Sequence, residues 1–318
     1  YVQGLSGRLV AVIETQQDFE EWMACGKVAA RALLVGEQVC KPDVPLVEVV
    51  EAVEAFIHEQ DFNMAFPCTV SLNECAAHYT PDHKDTRVFQ AGDVVKIDCG
   101  AEKNGALSDN AITVEVGGTG KYTDMIETAR LCLEEAQSVI GPNCNLGTVG
   151  GVIESIAVDR GFRTIKNLTG HSLERYNLHA GLTVPNVNMK IHKRPRIGDV
   201  LACEPFVTDG QTARVENSGP GNIYHFRGAR PLRLPSTKQL LAGIQRNHPK
   251  LPFAERWIKE VIDPNKVAFN LAQLQKAGLI TDYPALSEAS GGMVTQYENT
   301  LIVTEEGCVV ATDADSPY

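Results

Sequence analysis

The heptapeptide GDVVKID (Gly92–Asp98) recurs later in the chain as GDVLACE (Gly198–Glu204). The seventh position of each copy is a carboxylate, Asp98 in the first and Glu204 in the second. Recurrence of a segment within one chain indicates that part of a fold has been duplicated. We therefore expect two related halves that meet around a shared centre.

Two further correspondences run in the same order along the chain. DNAITV from Asp109 recurs as ENTLIV from Glu298, which places an acid opposite an acid. SLNECAAH (Ser71–His78) recurs as SLERYNLH (Ser172–His179), and both copies end in histidine. Each copy thus contributes two acids and a histidine, which is how a pseudo-symmetric two-metal site would be assembled.

Helical periodicity precedes the acidic strands in both copies. A helix is predicted from about Asp18 to Val35, and Met125 to Ile140 is its counterpart in the second copy. A second helix follows each of them, with apolar positions repeated 100 residues apart at Leu46, Val49, Val53 and Leu146, Val149, Ile153. Each half therefore has an α+β pattern, with helices covering one face of an antiparallel sheet.

The copies differ in the distance between their two acids. Asp98 and Asp109 are 11 positions apart, whereas Glu204 and Glu298 are 94 positions apart. Three short helices are predicted in the longer interval, over residues 237–246, 253–262 and 266–277. We expect a single catalytic domain spanning residues 1–318, with a helical subdomain inserted at 229–290.

Asn104-Gly105 predicts a tight hairpin after the first acidic strand, because a type I′ turn needs positive φ at both central positions. In that register Asp98 faces Ala111. Asp109 lies two positions before Ala111 and is therefore a diagonal neighbour of Asp98 on the same face of the sheet. Diagonal neighbours are about 7–8 Å apart at the backbone, so the two carboxylates can converge on a pair of cations.

Each acid, taken alone, could equally be a solvated strand end. Asp98, however, lies among Val95, Ile97 and Leu107, where an uncompensated carboxylate would carry a desolvation cost. Four acids related by duplication indicate a cation.

The three histidines near these strands are not equivalent. His171 has no counterpart in the other copy and is a candidate nitrogen ligand in an oxygen-rich site, a mixture suited to Mn, Fe, Co or Zn rather than Ca. His78 and His179 are counterparts and are candidate hydrogen-bond partners or proton carriers. Each could also be an ordinary core histidine. His58, His83, His192 and His248 have no motif around them and are interpreted as surface residues.

Composition narrows the class of protein. The chain has 318 residues and a net charge of −11, which argues against a DNA-binding surface, and the basic stretch 190–196 is interpreted as a solvated loop. Nine cysteines without a CxxC pair are typical of reduced thiols. No apolar run of about 18 residues occurs, so neither a membrane span nor a membrane partner is predicted and a cytoplasmic location is favoured.

Six segments together resemble methionine aminopeptidase of type II, in order and over nearly the whole chain. They are FPCTVSLNECAAHYTP from Phe66, VVKIDCG from Val94, SDNAITV from Ser108, NLTGHSLERYNLHAGLTVPN from Asn167, ACEPF from Ala202 and TQYENT from Thr295. The chain lacks the long charged N-terminal extension of eukaryotic members and so resembles the archaeal form.

The resemblance implies a pita-bread fold and a dinuclear centre of divalent ions (Co, Mn, Fe or Zn). It implies that Asp98 and Asp109 hold one ion, that His171 and Glu204 hold the other, and that Asp109 and Glu298 bridge them. It further implies that His78 lies beside the scissile amide and that His179 polarises its carbonyl. The residues implied to line the pocket for the methionine side chain are Phe66, Leu178, Phe206, His225 and Tyr283.

The activity implied is hydrolysis of the N-terminal methionine from nascent proteins through a metal-bridging hydroxide, with Glu204 shuttling the proton. The second residue should be small, and we expect a monomer with transient ribosome contact. One position departs from the family, which has Glu-His-Thr where this chain has Glu298-Asn299-Thr300. We expect Asn299 to point away from the ions and to modify activity rather than abolish it.

Two alternatives remain. One is a non-catalytic pita-bread protein that binds ribosomes, RNA or protein partners, although such relatives usually lack several metal ligands. The other is a prolidase or aminopeptidase P of the same fold, although those resemble this chain less around His179.

Overall fold

The computed structural model describes residues 12–315, which fold into antiparallel sheets covered by helices. The α-helices are α1 (Gln16–Val39), α2 (Leu46–Glu59), α3 (Thr123–Val139), α4 (Leu146–Asp159), α5 (Pro235–Asn247) and α6 (Val267–Lys276). The strands are β1 (Asn63–Leu72), β2 (Cys75–Ala77), β3 (Val94–Lys103), β4 (Ala106–Leu107), β5 (Asn110–Glu115), β6 (Arg163–Thr164), β7 (Thr169–Leu173), β8 (Thr183–Pro185), β9 (Val200–Cys203), β10 (Phe206–Thr208), β11 (Val215–Phe226), β12 (Phe253–Ala254), β13 (Ile280–Glu288), β14 (Val294–Gln296), β15 (Asn299–Val303) and β16 (Cys308–Val310).

The first half places α1 and α2 over the sheet formed by β1, β3, β4 and β5. Thr15 begins α1 with a capping box, in which its side chain accepts from the Asp18 N–H and the Asp18 carboxylate accepts in return. The apolar positions that predicted α2 are fully buried against this sheet, and burial of such side chains contributes about 1.5–3 kcal/mol each. The predicted helix pair of the first half is confirmed.

The second half repeats this arrangement with α3 and α4 over a five-stranded sheet in the order β16-β15-β9-β7-β8. Helices α2 and α4 each have 14 residues. Every strand pairing in the described residues is antiparallel. The predicted duplication and the α+β class are therefore confirmed.

The repeated Gly-Asp dipeptide forms the same turn in both halves. Gly92 and Gly198 have φ values of 91° and 82°, a backbone conformation that favours glycine. The Asp93 carboxylate accepts from the Gln90 N–H at 2.8 Å, and the Asp199 carboxylate accepts from the N–H three residues before it at 2.9 Å. These turns start the strands that carry the acids, so the local sequence fixes where each strand begins.

The long interval between Glu204 and Glu298 contains α5 and α6, which pack on each other around a separate apolar core. The helix predicted over 253–262 is wrong: Phe253 and Ala254 form β12, and a 3₁₀ turn follows at Glu255–Ile258. Residues 280–288 form β13, which pairs with β11 and β2. The extent of the insertion stays a prediction.

A buried ion pair attaches this insertion to the first half. The Arg256 guanidinium contacts the Glu54 carboxylate on α2, and their side chains are only 2% and 9% exposed. Glu54 also accepts from Trp257 Nε1 at 2.8 Å and from the Cys68 N–H at 3.1 Å. Arg256 donates in addition to the Thr80 hydroxyl at 2.6 Å. The insertion is thus tied to the segment that follows β2.

Two of the histidines interpreted as surface residues are half-buried and packed against other side chains. The His83 side chain is 12% exposed, and its Nδ1 lies 2.6 Å from the Glu255 carboxylate. His248 stacks between the rings of Phe253 and Trp257, at centroid distances of 5.3 and 5.6 Å. Both contacts join residues that are distant in sequence or lie across a turn, so no local motif predicted them. Between residues 12 and 315, no helix combines the length and apolar character required to cross a bilayer.

Candidate metal centre

The five residues predicted as ligands converge from both halves. Asp98 lies on β3 and His171 on β7, whereas Asp109, Glu204 and Glu298 lie in the short connections that border β5, β9 and β15. A bridge between Ala111 and Glu298 joins the two halves at this point.

The hairpin register predicted around Asn104 and Gly105 is confirmed. Both residues have positive φ, 53° and 88°, and Asp98 faces Ala111. Because a two-residue turn fixes the pairing of both strands, the turn sequence alone sets the positions of Asp98 and Asp109 relative to each other.

Residues from the C-terminal strands hold the carboxylates in place. The Thr300 hydroxyl accepts from the Asp109 N–H and donates to the Asp109 carbonyl, both at 2.8 Å. Gln296 donates to Glu298 at 3.0 Å and also hydrogen-bonds Asp98. Gln296 was not predicted as a site residue, although it lies in the quoted segment TQYENT.

His171 Nε2 points at two of the carboxylates. It lies 3.6 Å from Asp109 Oδ2 and 3.5 Å from Glu204 Oε1. One ligand atom from each of Asp109, His171 and Glu298 falls within 4.8 Å of the others. The nitrogen and the oxygens therefore face a common space.

Burial makes the ionised forms of these acids costly. It raises the pKa of Asp98 to about 7. Burial, reinforced by the neighbouring carboxylates, raises the pKa values of Asp109, Glu204 and Glu298 well above their usual range. If these acids are ionised together, the cluster needs a compensating positive charge.

The donor set fits divalent metal ions. Asp98 Oδ1 and Glu298 Oε1 are buried and have no hydrogen-bond partner among the described residues, although buried polar atoms are normally paired. Burial lowers the pKa of His171 to about 3, so its imidazole is neutral and able to donate a lone pair at neutral pH. Carboxylates with one imidazole match Mn, Fe, Co or Zn.

A cavity of about 280 Å³ lies over these residues. Its lining includes all five predicted ligands and six of the residues predicted to contact substrate, which are Phe66, His78, Leu178, His179, Phe206 and Tyr283. His225 does not line this cavity: its Nε2 lies 2.9 Å from the Lys250 carbonyl and its Nδ1 lies 3.2 Å from Arg227. The structure thus brings together every predicted site residue except His225.

The two histidines predicted to contact substrate are neutral at neutral pH. Burial lowers the pKa of His78 to about 4, and burial followed by the charge of His225 lowers that of His179. His78 has φ of 67° and packs edge-on against Tyr283 at a centroid distance of 5.7 Å. The Pro284 carbonyl accepts a hydrogen bond from the His78 ring, and Nδ1 is buried without a partner. The His179 ring lies 4.3 Å from that of His171.

Several lining residues were not predicted. Thr69 and Asn167 occur inside quoted segments, and Thr69 pairs directly with Asp98 across β1 and β3. Ile223 and Pro252 belong to β11 and to the segment after α5. Their sequence neighbourhoods carry no motif, because they enter the site only through the packing of distant segments.

Asn299 points away from the carboxylates, as expected for the strand neighbour of Glu298. Its side-chain oxygen accepts from the Thr312 hydroxyl at 2.9 Å, and that hydroxyl also accepts from the Thr300 N–H at 3.0 Å. The unusual residue is therefore connected to the segment that anchors Asp109 and not to the centre itself.

Fold and centre together define a metal-dependent hydrolase assembled from two duplicated halves. The chain belongs to metallopeptidase family M24, whose model matches residues 20–305. It is 39% identical over 296 residues to the methionine aminopeptidase of Methanocaldococcus jannaschii, covering 93% of this chain and 99% of that protein. The resemblance to methionine aminopeptidase is thus confirmed.

Solved structures give the same fold. Methionine aminopeptidase from Thermotoga maritima has a TM-score of 0.70 at 23% identity, covering 96% of this chain and 100% of that one. A thermophilic Arx1 has a TM-score of 0.80 at 14% identity, covering 94% and 91% of the two chains. At such identities the likeness shows the fold alone, and the predicted pita-bread arrangement is confirmed.

Proposed function

We propose that this chain is a metalloaminopeptidase that removes the N-terminal methionine from nascent polypeptides. The observation that carries the proposal is the cluster of four buried or half-buried carboxylates and one neutral imidazole beneath an apolar-walled cavity. The high identity to curated methionine aminopeptidases over nearly the whole chain supports the same activity.

Two divalent ions are proposed as cofactors. Asp98 and Asp109 would hold one ion and His171 and Glu204 the other, with Asp109 and Glu298 shared between them. When bound, such ions act as Lewis acids and lower the pKa of water towards neutrality. Glu204 borders both the ligand cluster and the cavity and is proposed to hold and transfer the proton in hydrolysis.

The two neutral histidines are proposed to orient the scissile amide. His78 lines the cavity, and its ring is proposed to hydrogen-bond the scissile amide. His179 is neutral and is proposed to donate to the substrate carbonyl. A carbonyl held by a preorganised donor is more electrophilic and its developing negative charge is stabilised.

The cavity suits the side chain of methionine. Phe66, Leu178, Phe206 and Tyr283 supply aromatic and aliphatic walls, against which a flexible thioether packs well. The site must admit the second residue beside methionine, so that residue is proposed to be small. We therefore propose preference for Gly, Ala, Ser or similar residues at that position.

The cellular setting is part of the same proposal. Nascent chains emerge in the cytoplasm, and the nine free cysteines fit a reducing compartment. The enzyme is proposed to act as a monomer that contacts the ribosome transiently.

Hydrolysis of Met-Ala-Ser by the purified chain, stripped of metal and reloaded with Mn²⁺ or Co²⁺, tests the function. Asp98→Asn should lose metal binding in calorimetry and lose turnover, whereas Asp61→Asn, the same change at a carboxylate that is 96% exposed, should retain both. Cleavage of Xaa-Pro peptides in preference to Met-Ala-Ser would favour a prolidase, and metal binding without turnover of either would favour a binding protein.

A further inference from the structure

A second cavity adjoins the catalytic one. It has a volume of about 600 Å³ and is bounded by the end of α2, the start of β1, the segment after β7 and residues 246–252, which span the end of α5 and the segment after it. Here it is called the downstream cavity, and the residues used below are Met64, Tyr176, Arg246 and Lys250. Its size falls within the usual range for sites that bind small ligands or peptide segments.

Three separate chain segments line both cavities. On β1, Met64 lines the downstream cavity and Phe66 lines the catalytic one. On the segment after β7, Tyr176 lines the downstream cavity and Leu178 lines the catalytic one. Pro252 lines both cavities. Because all three segments cross from one cavity to the other, the two cavities are neighbours along a common wall.

The wall of the downstream cavity is held by specific contacts. The Tyr176 N–H donates to the Gly105 carbonyl at 2.9 Å, and a Cβ at Gly105 would lie 2.6 Å from the Tyr176 ring. His225 Nε2 lies 2.9 Å from the Lys250 carbonyl. His225 therefore contacts the 246–252 segment and is not among the residues that line the catalytic cavity.

Two cationic side chains and one carboxylate line the downstream cavity, so its charge is on balance positive. Within residues 12–315, neither Arg246 nor Lys250 forms an ion pair, and the Lys250 ammonium lies 3.6 Å above the Tyr176 ring. Glu102, the acid of this cavity, is 5% exposed and already accepts from Asn63 Nδ2 at 2.9 Å and from the Gly105 N–H at 2.7 Å. A positive patch in a chain of net charge −11 is suited to an acidic ligand.

We propose that the downstream cavity binds the substrate residues that follow the second one, and that Arg246 and Lys250 favour acidic side chains there. The inference rests on the proposed aminopeptidase function. A polypeptide cleaved after its first residue must leave the catalytic cavity beyond its second residue. An extended chain advances about 3.3 Å per residue, so the third to fifth residues reach an adjoining cavity.

The first experiment measures kcat/KM of the metal-loaded enzyme for Met-Ala-Ser-Glu-Glu and Met-Ala-Ser-Lys-Lys. We expect the acidic peptide to be preferred about two- to fivefold, the range for exposed charge pairs, with the preference shrinking at 0.5 M salt. Lys250→Glu and Arg246→Glu should each lower or invert the ratio. Lys238→Glu, which makes the same charge change elsewhere on α5, should leave the ratio as in the wild type.

The second experiment separates this inference from the activity. A peptide Met-Ala-Ser-Glu followed by benzoylphenylalanine is irradiated with the metal-loaded chain, and the crosslinked residues are mapped by mass spectrometry. Crosslinks at Met64, Tyr176 or residues 246–252 support the inference, even if Met-Ala-Ser is not hydrolysed and the proposed function fails. Turnover of Met-Ala-Ser with crosslinks elsewhere, or a charge ratio equal in the wild type and both variants, overturns the inference and leaves the function standing.

Discussion

Replacing Arg256 by methionine should be among the most damaging single changes outside the metal centre. The Arg256 and Glu54 side chains are 2% and 9% exposed, so removal of the guanidinium leaves a buried carboxylate without its counter-ion. Loss of one partner of a buried ion pair costs about 3–5 kcal/mol. The Thr80 hydroxyl would also lose the hydrogen bond that Arg256 donates at 2.6 Å.

The pair itself should contribute much less than that figure. Burial raises the pKa of Glu54 even though Arg256 opposes the shift, so the attraction between the two charges does not fully offset their desolvation. We therefore expect Glu54→Leu combined with Arg256→Met to be at least about 2 kcal/mol more stable than the sum of the two single changes would give. The remaining loss in the double variant comes from the Cys68 N–H and Trp257 Nε1, which lose their acceptor.

Urea unfolding followed by circular dichroism measures these free energies, with Arg256→Lys as the variant that keeps the charge. Turnover of Met-Ala-Ser by the same variants tests the link to the active site, because Arg256 supports the segment two residues after His78. A cost below about 0.5 kcal/mol for Arg256→Met, or strict additivity in the double variant, would refute the argument from burial.

Three further predictions concern the centre and its surroundings. Mn²⁺ at 100 times its Kd should raise the melting temperature of the wild type by about 4 °C in calorimetry. Asp98→Asn should abolish that rise. An equal rise in the wild type and the variant would contradict the assignment of Asp98 as a ligand. Glu288 is buried, yet hydrogen bonds from Thr212, Ser290 and the Gly292 N–H outweigh the effect of burial and lower its pKa from 4.5 to about 2. The stability contributed by the ionised Glu288 carboxylate should be complete above about pH 4.5 and lost as the pH falls towards 2. Glu288→Gln should therefore remove the loss of stability over that pH range when acid unfolding is measured. An acid unfolding curve equal to that of the wild type would exclude this contribution of Glu288. A Cβ at Gly170 would lie 2.3 Å from the Ala202 carbonyl, so Gly170→Ala should destabilise the fold by about 1–3 kcal/mol and weaken metal binding. Gly151→Ala on α4 is the control: its Cβ would lie no nearer than 3.5 Å to any atom outside its own helix, so the change should be neutral or stabilising by up to about 1 kcal/mol. Equal melting temperatures for the two variants would contradict this prediction.

The features predicted from sequence were those set by short-range rules. Helical periodicity located α2 and α4, and the turn chemistry of Asn104-Gly105 set the strand register around Asp98. The recurrence of acids in strand contexts indicated four carboxylates that the structure brings together around one cavity. The helical and turn signals lie within a few residues of the positions they predict, and the recurrence of the acids can be recognised directly in the sequence.

The features that were missed depend on contacts between distant segments. Arginine in a predicted helix is usually exposed, and the burial of Arg256 is explained only by its ion pair with Glu54, 202 positions away. His83 is likewise half of a pair with Glu255, 172 positions along the chain. Pro252 lines the catalytic cavity because the insertion folds back over it. Local sequence patterns do not predict contacts between residues so far apart in the chain.

The ligand cluster draws on both sides of the exposed glycine-rich turn at residues 117–120. Asp98 and Asp109 precede that turn, and the imidazole and remaining carboxylates follow it. Neither fragment of a chain cleaved there would carry a complete set, so high-affinity metal uptake would report that the fragments had reassociated correctly. Metal bound at the proposed centre would in this sense depend on both halves of the chain.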